Sequence, residues 1–206
     1  NIFNLLSYIN REQYGETPLL TGQFFTAKLS DEKEGAMQYQ KSEDKYVETV
    51  RKTVPVWEAA QSGFFPRMWS NQANHIQFYQ SWAKLKSTTK KPSFSENMGF
   101  FISYQMGHMY WRYFMWNFTG RQNDIQGHGN MTDGNWISGI KALDEYRLGP
   151  QTNLPKYLAE NTSRNELYFL PLILGVIGMV FHFNKNKKGA TPVGLLFFFT
   201  GLAIVI

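Results

Sequence analysis

Four consecutive residues, Arg121-Gln122-Asn123-Asp124, set a guanidinium, two amides and a carboxylate side by side between Gly120 and Gly127. Planar, forked groups of this kind make paired hydrogen bonds to vicinal hydroxyls or phosphate oxygens. Arg112 upstream adds a second guanidinium, Trp111 and Trp116 add flat faces for stacking, and His128 adds an imidazole downstream. The set describes a binding site for a polyhydroxylated or phosphorylated ligand. Asp124 and His128 also have the i, i+4 spacing of a divalent-metal pair on a helix, but Gly127 between them weakens the helical register such a pair needs. The competing reading is packing alone, with 121–124 as a capping turn and the tryptophans as anchors.

The element that must present these groups is the run 98–118, which contains no Asp, Glu, Lys or Pro and only two residues, His108 and Arg112, that carry or can gain positive charge. At 100° per residue, Gln105, His108, Arg112 and Thr119 fall in one narrow stripe and aromatic side chains cover most of the rest. Ser93 with Glu96 three residues on has the spacing of a capping box, and Gly120 is a stop signal, so a helix is predicted over about 95–119. It is long enough to cross a bilayer. His108 and Arg112 would be costly in a lipid-facing span, and Trp and Tyr favour the headgroup zone, so the sequence favours a helix lying in the interface.

Composition narrows the function classes. The net charge of +5 is mainly a topology signal, because Lys185, Lys187 and Lys188 share one short connector, and no nucleic-acid partner is implied. With no cysteine, disulfides and Cys-ligated metals are excluded. The mean hydropathy of −0.38 averages a polar first three quarters with a very apolar last quarter. The chain starts at Asn1 and ends inside an apolar run, as an internal piece of a longer polypeptide would.

Along the chain, 1–14 has the pattern of a short amphipathic helix, 30–44 reads as a charged solvated loop, and a strand or small hairpin is expected near Tyr39 and over 45–54. A helix follows through Ile76, Tyr79, Trp82 and Leu85, with His75 as a partly exposed surface histidine at its start. Two apolar runs, 167–183 and 192–206, flank the three lysines and read as a transmembrane hairpin whose second span is cut short. The lysines favour the cytoplasmic side for the connector, which places 1–166 on the extracytoplasmic, periplasmic side. The expected fold is mainly α: a fragment of a polytopic integral membrane protein with a large, mostly helical extracytoplasmic region, a small β-hairpin and a C-terminal transmembrane helix hairpin.

The strings SYINREQYGETPLL, FFPRMWS, YWRYFMWNFTGRQNDIQG, GNWISGI and LYFLPLILGVIG resemble those of large bacterial membrane proteins described as protein O-mannosyltransferase-like and grouped with the GT-C glycosyltransferases. The resemblance implies a multi-pass protein of the bacterial inner membrane. It also implies sugar transfer from a polyprenyl-phosphate carrier to a protein or envelope glycan acceptor, with a divalent metal as a candidate cofactor. On that basis Arg112 and Arg121 are candidates for the lipid-linked phosphate, Gln122, Asn123, Asp124 and His128 for sugar hydroxyls, and Trp111 and Trp116 for stacking. The acidic residue of GT-C enzymes lies in a first extracytoplasmic loop that has no counterpart in this sequence, so no catalytic base carries over. The alternative function is a non-catalytic membrane scaffold or carbohydrate-binding component of an envelope or secretion complex.

Overall fold

The computed structural model describes residues 17–127 and 130–205. The amphipathic helix expected over 1–14, His128, and the end of the last apolar run at Ile206 lie outside these residues. The fold is mixed α and β, not mainly α, and it divides into two units, one ending at Phe101 and one beginning at Ile102.

In the first unit, β1 (Thr21–Gln23) pairs antiparallel with β4 (Ser62–Phe64), and a long antiparallel ribbon is made by β2 (Leu29–Lys41) and β3 (Tyr46–Trp57). The ribbon is much longer than the hairpin expected, and β2 replaces the solvated loop expected over 30–44. Its sequence hides it, because nearly every side chain of β2 is exposed and the apolar alternation that marks a half-buried strand is missing. Cross-strand backbone pairing with the β-branched residues of β3 holds it, with three register shifts along the ribbon.

Helices α1 (Ala73–Ala83) and α2 (Phe94–Phe100) complete this unit. The Ser93–Glu96 capping box forms as predicted: Glu96 N donates to Ser93 Oγ at 3.2 Å and Ser93 N donates to Glu96 Oε2 at 2.8 Å. Phe24, Phe25, Met68, Tyr79 and Phe100 form the core, with the Tyr79 and Phe100 rings edge to face at 5.1 Å. His75 hydrogen-bonds Ser70 Oγ at 2.7 Å, in keeping with a structural role.

In the second unit the aromatic run continues as a π-helical segment (Phe101–Trp111, beginning at the last residue of the first unit) and ends in α3 (Arg112–Phe118). Nothing in the sequence signalled the π-helical segment. After α3 come β5 (Gly120–Arg121), a loop over 122–140, α4 (Lys141–Leu148), α5 (Lys156–Ala159) and β6 (Asn165–Glu166), which pairs with β5. The chain closes with α6 (Leu170–Lys185) and α7 (Lys187–Val205). Met115, Trp116 and Trp136 are the buried core of this unit, with Phe114, Leu143, Phe169 and Leu172 packed on them.

The expected transmembrane hairpin is corrected by the lengths of these last helices. The 16 residues of α6 span about 24 Å at 1.5 Å per residue, against a hydrocarbon core of about 30 Å. The 19 residues of α7 open on Lys187 and Lys188 and contain Pro192. Tyr168 and Phe169, at φ 49° and 60°, take the left-handed conformation and break an apolar run that is continuous in the sequence. Among the described residues no helix is long and apolar enough to cross a membrane. That finding overturns the polytopic architecture and the multi-pass inner-membrane location, and with them the topological ground for placing 1–166 on the periplasmic side.

Candidate functional site

Of the residues singled out in the sequence, Arg112, Gln122 and Asn123 converge, and what they converge on is the backbone of the loop that follows β5. Arg112, at the start of α3, donates from Nε to His108 O at 3.1 Å and from Nη1 to Gln126 O at 3.1 Å and Gly134 O at 2.5 Å. One guanidinium thus ties the helix to two points within the loop. Burial lowers its pKa, and the nearby Tyr104 opposes that shift. Gly134 sits at φ 74°, and a Cβ there would collide with Gln126 O, so the close crossing that Arg112 straps together requires glycine.

Gln122 and Asn123 are both 2 % exposed. Gln122 donates to Met131 O at 3.2 Å and accepts from Asn135 Nδ2 at 3.0 Å, while Asn123 donates to Thr132 O and to Asp133 Oδ1, each at 2.9 Å. Asn130 Oδ1 accepts from the backbone of Thr132 and Asp133, closing the turn. Hydrogen bonds from Thr132, Asn123 and Asn130 hold the Asp133 carboxyl below the usual carboxylate range. Arg121 donates to Ser163 O at 3.1 Å, and its guanidinium lies 5.0 Å from the Trp116 ring centroid. Asp124 and Trp111 are exposed, Trp111 by 51 %. Among the described residues no group of three or more potential metal ligands occurs.

Sequence reasoning missed the carboxylate that does most in this unit. Asp144 is 3 % exposed and accepts from Ser138 N at 2.9 Å, Ser138 Oγ at 3.0 Å and Gly139 N at 2.8 Å, pinning the turn before α4. Beside it Arg147 lies 3.6 Å over the Trp136 ring and donates to Trp136 O at 3.0 Å. The only local sign was a polar residue on a helix one turn after Ser-Gly-Ile, a weak signal in a polar stretch.

The open site lies elsewhere in the same unit. A groove of about 700 Å³ runs between α3, α6 and α7, from Phe118 and Pro171 at one end to His182 and Ala190 at the other. Its walls are almost wholly apolar. Gly175 and Gly178 line it with no atom within 4 Å of where a Cβ would stand, so the missing side chains open the groove and are not filled by a neighbour. Gly194 has the opposite use, since a Cβ there would sit 3.3 Å from the Phe183 ring, and the glycine lets α6 and α7 close on each other. Beyond His182 the chain turns through Lys185, Lys187 and Lys188, all exposed.

Residues 15–102 match the model of a family of unknown function, DUF8416. The match ends where the first unit does and leaves the groove outside it. Neither the curated proteins nor the solved structures give a match to this chain.

Proposed function

We propose that this protein binds a lipid-linked anion, an isoprenoid or acyl chain carrying a phosphate-type headgroup, with the chain in the α3–α6–α7 groove and the headgroup at Lys185, Lys187 and Lys188. The observation that carries the reading is the pairing of an open apolar channel with a basic turn at one end. Pockets that take up drug-sized ligands run from about 300 to 1,000 Å³, and an apolar chain of that size loses most of its water contact on entering. The walls offer it nothing polar to desolvate until His182. At that end three ammonium groups are clustered within four residues, Lys185 closing α6 and Lys187 and Lys188 opening α7.

The reading keeps the lipid-linked partner that the sequence resemblance implies and moves its contact from the Arg112–Asp124 region to the α6–α7 turn. It assigns binding. Sugar transfer needs a group to take the acceptor's proton, and the titratable side chain on the groove wall is His182.

A fluorescent apolar probe seated in the groove supplies the test. Farnesyl phosphate is expected to displace it more tightly than farnesol, and inorganic phosphate is expected not to displace it. Failure of both isoprenoids to displace the probe, or equal displacement by inorganic phosphate, refutes the reading.

A further inference from the structure

A second cavity, of about 640 Å³, lies in the first unit and is built by strand alternation. Thr53, Pro55 and Trp57 are alternate residues of β3 and line it together, as do Thr21 and Gln23, alternate residues of β1. Each strand therefore turns mainly one face into the cleft, with Lys52 of β3 at its edge from the other face. Trp69 adds a second indole, and Pro18 and Leu19 form part of the rim.

That rim is fixed from behind. Arg67, 4 % exposed, donates from Nη2 to Pro18 O at 2.7 Å and to Leu19 O at 3.2 Å, while its own backbone N–H donates to Asn97 Oδ1 at 2.9 Å. Asn97, fully buried, returns a bond to Phe65 O at 2.8 Å. A Cβ on Gly22 would run into Pro18, so the arch that carries the rim into β1 closes only on glycine. The wall of the cleft is preorganised, which lowers the ordering cost of binding.

We propose that this cleft binds a saccharide, stacked on Trp57 and Trp69 and hydrogen-bonded by Gln23, Thr21 and Thr53. The chemistry of the lining selects that class. Indole faces suit the C–H faces of pyranose rings, and an amide and two hydroxyls, each both donor and acceptor, suit ligand hydroxyls that are also both. A wholly apolar ligand would leave those polar groups without partners, and a multiply charged phosphate would meet one lining cation, Lys52. The cleft belongs to a different unit from the apolar groove, so this inference stands or falls apart from the lipid-binding reading.

The test is a printed array of defined oligosaccharides, including chitotetraose, cellotetraose and mannotetraose, probed with the labelled full chain, followed by calorimetric titration of the strongest member. Binding is expected. Trp57→Ala and Trp69→Ala are each expected to weaken it about tenfold or more, and Gln23→Ala several-fold, with circular dichroism confirming that each variant is folded. Trp69→Phe, which keeps a flat ring, is expected to stay within about threefold of the parent and so separates stacking from packing. No bound oligosaccharide on the array, or an affinity unchanged in both alanine variants, overturns the inference.

Discussion

The loop over 122–140 and the groove between α3, α6 and α7 divide the second unit between them in an instructive way. The loop holds nearly every residue that looks like chemistry: Arg112 reaches it, Arg121 adjoins it, and Gln122, Asn123, Asn130, Asp133 and Asn135 lie in it. Apart from Arg121, which donates out of the loop to Ser163 O, their donors and acceptors meet one another and the loop's own carbonyls. The groove holds phenylalanines, aliphatics and glycines, and it is open. A turn-rich segment without a sheet or helix of its own must satisfy its buried backbone groups with side chains. Amides and guanidinium groups are the residue types best shaped for that task, so a dense polar cluster can signal a backbone to be held as readily as a ligand to be bound. An apolar channel needs no such residues.

The comparison can be broken most severely at Asp144. Replacing it with alanine strands the buried N–H group of Ser138 and the part-buried one of Gly139, and a loss of about 3 kcal/mol in urea denaturation is expected. A stability close to the parent would mean that the turn before α4 is held by something else.

Arg112→Ala removes the strap between α3 and two points within the loop, with an expected cost of about 2 kcal/mol. Arg112→Lys should recover less than half of it, because an ammonium group cannot reproduce a planar fork aimed at three carbonyls. Full recovery by lysine would show that charge alone matters there.

On the groove side, changing Lys185, Lys187 and Lys188 together to glutamine is expected to weaken farnesyl phosphate about tenfold while leaving farnesol unchanged. Equal weakening of both ligands would remove the headgroup role of these lysines. The smallest effect is one of pH. The Asp133 carboxyl titrates below its ordinary value, so its contribution to the loop is complete above about pH 4 and is lost as the pH falls through the lower folded value. Amide exchange of the loop should therefore rise on acidification below about pH 4 in the parent and not in Asp133→Asn.

Where a structural cause was local, the sequence displayed it. Ser93 and Glu96, three apart, announced the start of α2, and Gly120, at φ 133°, ends α3 where a stop signal was read. The run of Val and Thr placed β3, short only at its C-terminal end. Its partner β2 was invisible because an exposed, charged strand has no apolar periodicity and is fixed by a neighbour across a turn. The polar cluster at 121–124 stands out in the sequence by its residue types. What it touches lies about ten residues on for Gln122 and Asn123 and over forty for Arg121, and those partners decide its role. Two left-handed aromatics, Tyr168 and Phe169, shorten the first apolar run, and neither residue type advertises that conformation.

The most direct measurement sets the two regions against each other in one assay: the affinity of the full chain for farnesyl phosphate in Gly178→Leu and in Arg121→Ala. Leucine at 178 enters open groove space and replaces a helical glycine, so the variant should be at least as stable as the parent and yet bind about tenfold or more weakly. Arg121→Ala should lose some stability and keep its affinity. The reverse outcome, with binding retained by Gly178→Leu and abolished by Arg121→Ala in a folded protein, contradicts the account and returns the site to the polar loop.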